Sequence, residues 1–159
     1  MANTKTSALT AATSLALTNE FPIVNGGELK RGTLQMVVDA IPVAVQFACS
    51  DETTDLTAAT DKITFRMPYA MTLTEVRASV GTAPTGAAIT VDINQTGATV
   101  LSTKLTIDVN EFTSTTAATP AVISTSALTD DSKISVDVDV IGSTIAGAGL
   151  KVTLIGTRA

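Results

Sequence analysis

The side chains in this chain with chemical potential are mainly acids. Asp51, Glu52, Asp55 and Asp61 crowd one Thr-rich stretch. Hard cations such as Ca²⁺ want several oxygen ligands, which carboxylates, hydroxyls and backbone carbonyls in one loop can supply. The spacing lacks the Gly and the terminal Glu of an EF-hand, and a solvated acidic loop is the simpler account. Asp137 and Asp139 alternate along one segment, as do Asp92 and Asn94 along another. Alternate strand positions share a face about 7 Å apart, within the roughly 5 to 9 Å that paired glycosidase carboxylates require. The plainer reading is an acidic outer face that keeps a sheet soluble and discourages edge-to-edge pairing.

Other catalytic chemistry is scarce. The chain has no His and no Trp, which removes the commonest general base and the commonest metal ligand. Cys49 is the single cysteine, so an intramolecular disulfide is excluded, and it reads as a small buried hydrophobe. Sugar sites usually offer a flat aromatic ring, and here only Tyr69 and four Phe are present. Tyr69 follows Pro68 and reads as a ring packed over a sheet edge. We therefore expect no enzyme activity, no cofactor and no metal.

The elements that position these residues are strands. Ile134-Ser135-Val136-Asp137-Val138-Asp139-Val140 changes from apolar to polar at every step, which puts one face into a core and the other into water. The pattern predicts strands over Val43–Ala48, Lys62–Met67, Thr72–Val80, Ala88–Ile93, Thr99–Ile107, Ala121–Ser124, Lys133–Ile141 and Gly149–Gly156. Ala83-Pro84-Thr85-Gly86, Asn94-Gln95-Thr96-Gly97, Asp130-Asp131 and the Gly142–Gly149 loop separate them. The fold class expected is all-β: a jelly-roll-like, two-sheet antiparallel β-sandwich, with an immunoglobulin-like topology as the alternative.

The first part of the chain reads differently. Phe21-Pro22-Ile23-Val24 is a short apolar strand, Asn25-Gly26-Gly27 a turn, and Glu28 to Thr33 its hairpin partner. Thr33 can cap a short helix from Leu34 to Ile41, with Leu34, Val37, Val38 and Ile41 on one face before Pro42 stops it. A strand over the same residues is the competing assignment. The expected division is an extended arm with a hairpin over 1–42 and a sandwich over 43–159.

Composition limits the partners. From Leu34 onward seven basic side chains face thirteen acidic ones, a net of −6, and the preceding residues add +1 to give the chain's −5. Nucleic acid, which needs a basic face, is not an expected partner. No apolar run reaches the length of a membrane span, and Met1 to Thr18 lacks the basic start and unbroken apolar core of a secretory leader. Synthesis as a cytoplasmic chain is expected.

Certain segments resemble a known group. Ser7-Ala8-Leu9-Thr10-Ala11-Ala12-Thr13, Glu20-Phe21-Pro22-Ile23-Val24-Asn25-Gly26-Gly27 and Lys30-Arg31-Gly32-Thr33-Leu34 resemble the virion-attachment segments that begin many tailed-bacteriophage fibre and appendage proteins. Phe65-Arg66-Met67-Pro68-Tyr69-Ala70, Pro84-Thr85-Gly86, Val91-Asp92-Ile93-Asn94, Ser102-Thr103-Lys104 and Gly149 to Thr157 resemble a β-sandwich module of phage structural proteins. The resemblance implies an arm that fixes the protein to the major capsid protein or another virion protein, with Leu9, Phe21, Pro22, Ile23, Val24, Lys30 and Arg31 as contacts. Such an arm can bind through backbone pairing. The resemblance also implies a homotrimer on the virion surface. Phe65, Arg66, Tyr69 and Arg77 are the candidate subunit-interface residues, the arginines reaching Glu75 or Asp92 across the interface. With no room for a long shaft, a capsid decoration or short head fibre is favoured over a tail fibre or a receptor- or glycan-binding module.

Overall fold

The computed structural model describes residues 15, 16 and 18–159. Two compact units are present, one ending at Ala40 and the other running Ile41–Ala159.

The first unit is a hairpin followed by a helix. Strands β1 (Glu20–Asn25) and β2 (Glu28–Thr33) pair in register from Glu20↔Thr33 to Asn25↔Glu28. The two-residue turn is Gly26-Gly27, both at positive φ (65° and 83°), the conformation that a tight hairpin turn demands and that glycine adopts without strain. Helix α1 (Leu34–Ala40) follows directly. Its start is capped as the sequence suggests, since the Met36 N–H donates to the Thr33 hydroxyl at 3.3 Å. The expected stripe is only half realised: Leu34 and Val38 are partly buried, whereas Val37 and Ile41 are exposed.

The second unit is the sandwich. One sheet has the order β11 (Ala127–Leu128), β5 (Met71–Ser79), β13 (Lys151–Arg158), β3 (Pro42–Ala48). The other has β4 (Ala59–Arg66), β12 (Lys133–Val140), β6 (Ile89–Gln95), then β7 (Ala98–Thr99), with β9 (Leu105–Ile107) also on β6. All pairings are antiparallel. Within this unit the first strand lies beside the last (β3 and β13), the second beside the next to last (β4 and β12), β5 beside β11 and β6 beside β7 and β9. That nesting is a long hairpin rolled up, the jelly-roll topology, and the immunoglobulin-like alternative falls away.

Alternation explains the core. Ile89, Val91 and Ile93 of β6 and Ile134, Val136 and Val138 of β12 are buried from one sheet, and Met71, Leu73, Val76, Val152 and Leu154 from the other. The step from Leu73 to Val76 breaks the period of two because the register with β13 shifts between Ile155 and Gly156. Gly156 is required at that shift, since a Cβ there would lie 2.2 Å from the Thr72 carbonyl oxygen.

The main departure from expectation is Thr99–Ile107. In place of one strand the chain forms β7, β8 (Leu101–Thr103) and β9, and β8 turns away to pair with β10 (Val122–Ile123). Val100 and Leu101 are adjacent and both buried, at 1% and 3% exposure. Neighbours on a straight strand point to opposite faces, and here the kink lets both join the core. Among the described residues no helix is long and apolar enough to cross a membrane.

Candidate functional site

The hairpin unit carries most of the residues expected to make attachment contacts. Cross-strand partners share a face, so Pro22, Val24, Leu29 and Arg31 lie on one side, from the register Pro22↔Arg31 and Val24↔Leu29. Phe21, Ile23 and Lys30 lie on the other, where Phe21 and Ile23 are partly buried over Gly32. Val24 and Leu29 are 74% and 76% exposed. Beside them is a shallow cavity of about 330 Å³ lined by Glu20, Phe21, Pro22, Leu29, Lys30 and Arg31. Arg31 is held across the hairpin by Glu20 at 3.2 Å, and Lys30 lies 3.5 Å from Glu28. The lining combines apolar Phe21, Pro22 and Leu29 with Lys30 and the Glu20–Arg31 ion pair. Leu9 lies outside the described residues.

The candidate interface residues of the sandwich have partners within the chain. The Arg77 guanidinium donates two bonds to Glu75, at 2.6 and 2.9 Å, and this contact holds the Glu75 carboxyl below its usual range. Arg66 donates to the Asp131 carbonyl at 2.7 Å. Phe65 packs against the core and tilts over Phe47. Tyr69 is half-buried, with the Arg158 guanidinium 4.0 Å above its ring, so its face is occupied by a cation–π contact.

The acidic stretch does not converge. Asp51 accepts from the Thr54 N–H at 2.6 Å and the Thr53 N–H at 2.9 Å, and these bonds, Thr54 first, hold its carboxyl low. Glu52 is paired with Lys151, and Asp61 with Lys133 at 3.0 Å. Among the described residues no three acidic, His or Cys side chains are grouped to hold a metal ion.

The carboxylates of β6 and β12 do meet, in a network closed by groups that the strand pattern did not single out. Lys104 reaches Asp139 at 2.6 Å and Asp92 at 3.2 Å. The Thr99 hydroxyl donates to Asp92 at 2.6 Å. Asp137 accepts from the Asn94 amide at 2.9 Å and from the Asp61 N–H at 2.7 Å. Asp139 foremost, then Asp92, pushes the Lys104 ammonium above its ordinary value. Each carboxylate in the network has a donor, so the groups are held together as a hydrogen-bonded lattice. Cys49 is buried, and that burial pushes its thiol up to about 12, against a weaker opposing pull from Lys62.

A second cavity, about 440 Å³, lies between β5 and β10 and is lined by Thr74, Glu75, Val76, Ser114, Val122 and Ile123 among others. Comparison with family models, with curated proteins and with solved structures finds no match to this chain.

Proposed function

We propose that this chain is a non-enzymatic structural protein of a tailed-phage virion, decorating the capsid or forming a short fibre on it, and anchored through its N-terminal unit. The observation that carries this reading is the side-by-side exposure of Val24 and Leu29 at the end of a hairpin. Two large apolar side chains so exposed gain from burial against another surface. The sandwich supports the same reading from the other direction, because the carboxylates of β6 and β12 are engaged by Lys104 and Asn94 and its one thiol is buried. The partner is the major capsid protein or another virion protein, met through an apolar segment that covers Val24 and Leu29. The site of action is the virion surface, after synthesis in the host cytoplasm.

The test uses heads of the phage that encodes this chain, stripped of the protein. The full chain is expected to bind them, and the Val24→Asp, Leu29→Asp double variant to bind at least about tenfold more weakly with an unchanged far-UV spectrum. If the unaltered chain ignores heads but binds tails, or binds a glycan saturably, the tail-fibre or receptor-binding alternative takes its place.

A further inference from the structure

The two long outer strands of the sandwich differ in how they guard their free edges. β4 carries Asp61, Lys62 and Arg66, and its pairing with β12 is irregular between Val136 and Val138. Charges and bulges of this kind keep an open edge from recruiting another strand. β3 has neither, and its one proline stands at its first residue, outside the stretch from Ala44 to Ala48. Pro42-Val43-Ala44-Val45-Gln46-Phe47-Ala48 contains no charged side chain, and it runs in unbroken register along β13 from Pro42↔Thr157 to Ala48↔Lys151.

Its free backbone groups can be identified. The Cys49 N–H donates to the Leu150 carbonyl at 2.7 Å. Residues of an antiparallel ladder alternate in the edge they bond to, so Val43, Val45 and Phe47 bond β13, while Ala44, Gln46 and Ala48 direct their N–H and C=O groups outward. Among the described residues no strand pairs with that edge.

We propose that this edge pairs with the same edge of a second copy, antiparallel about a two-fold axis centred on Gln46, joining two four-stranded sheets into one of eight strands. In that register Ala44 faces the partner's Ala48, and small exposed side chains let the backbones approach. Val45 faces the partner's Phe47, so two half-buried residues complete the seam of the core. The Gln46 amide already donates to the Thr153 hydroxyl at 3.0 Å, which leaves its oxygen free at the axis.

Self-pairing brings equivalent residues together, so an uncharged strand is what makes it possible. A three-fold contact built on strand edges would instead need a second, complementary edge. β4 is guarded, β7 and β11 have two residues each, and β9 has three. The edges therefore favour a two-fold pair over the trimer that the phage resemblance implies. This inference stands independently of head attachment.

Sedimentation equilibrium of the full chain is expected to give a dimer, and Gln46→Lys a monomer with an unchanged far-UV spectrum that still binds heads as the parent does. Directly opposed, hydrogen-bonded residues sit about 5.5 Å apart at Cα, within disulfide reach, so Gln46→Cys is expected to cross-link two chains on mild oxidation while the parent, with Cys49 buried, does not. A monomeric parent, any oligomer that survives Gln46→Lys, or a dimer that Gln46→Cys fails to cross-link overturns the proposal.

Discussion

Phe47 of β3 and Phe65 of β4 bring their ring centroids to 4.7 Å at an interplanar angle of 49°, and through this contact the edge strand of one sheet is tied to the edge strand of the other. The separation falls in the range of interacting aromatic pairs and avoids the face-to-face sandwich, and such pairs are worth about 0.5–1.5 kcal/mol beyond area burial. A double-mutant cycle with Phe47→Leu and Phe65→Leu should return a coupling in that range from denaturant midpoints. Additive losses would mean that the rings pack independently against the core.

Among the described residues Lys104 is the only ammonium within reach of Asp92, whose side chain is 8% exposed. Lys104→Met should therefore leave a buried carboxylate with the Thr99 hydroxyl and the Ile93 N–H alone. The expected loss is about 1–2 kcal/mol, and it should largely disappear when Asp92→Asn is added. Urea unfolding of the two single variants and the double variant measures this directly, and equal losses in both backgrounds would remove Asp92 from the explanation.

Thr96 sits at φ 53° in the two-residue turn between β6 and β7, a left-handed conformation that is costly for a β-branched residue. Its N–H donates to the Lys133 carbonyl at 2.8 Å, a bond that asparagine keeps. Thr96→Asn should stabilise the sandwich by about 1 kcal/mol, seen as a raised midpoint. Gly156→Ala should do the opposite by about 3 kcal/mol or more, because the added methyl meets the Thr72 carbonyl. A neutral Gly156→Ala would show that the β5–β13 shift relaxes easily.

Acid and base should act through different groups. Asp51, held by the Thr54 and Thr53 N–H groups, Asp61, held by the Ser135 hydroxyl and Lys133, and Glu75, held by Arg77, all have carboxyls depressed in the folded state. Depressed carboxylates contribute stability above their unfolded values near about 4, and lose it as pH falls through the folded values. The thermal midpoint should thus decline below about pH 4.

Cys49 works at the other end. Its folded pKa is raised to about 12 from 9.0, so the favourable difference is intact below the unfolded value and is lost as pH rises from there through the folded one. Cys49→Ala should flatten that alkaline limb, and the parent thiol should react with a disulfide reagent only after unfolding. Rapid labelling of the native chain would contradict its burial.

The parts of this fold that were legible in sequence are those governed by neighbours. Ile134 to Val140 announces β12 by alternation alone, and Asn25-Gly26-Gly27 with Thr33 announces the hairpin, its return strand and the helix cap. The kink at Val100-Leu101 was written as two adjacent apolar residues, a signal that a run of otherwise alternating strand concealed. Distant pairing was not legible: Lys104 closes the acid network only because β9 and β12 both lie against β6, and within Pro42–Ala48 the one local hint of an outer strand is Pro42, which suits an edge or a strand start. For the attachment surface, Phe21 to Val24 and Lys30-Arg31 were legible by type, but Leu29 joined them only through its register with Val24.

The pairing of β3 with β13 sets a timetable for synthesis. Pro42 finds its partner in Thr157, so the strand that leaves the ribosome first in the sandwich waits for the one that leaves last, roughly 5 to 20 s at ordinary elongation rates. Such a high contact order makes folding slow, and during the wait an uncharged, β-prone strand is open along both edges. The hairpin unit, built wholly from near neighbours, is complete long before. On a polysome the nascent sandwiches are thus the vulnerable part, and the strand most open to mispairing there is Pro42–Ala48.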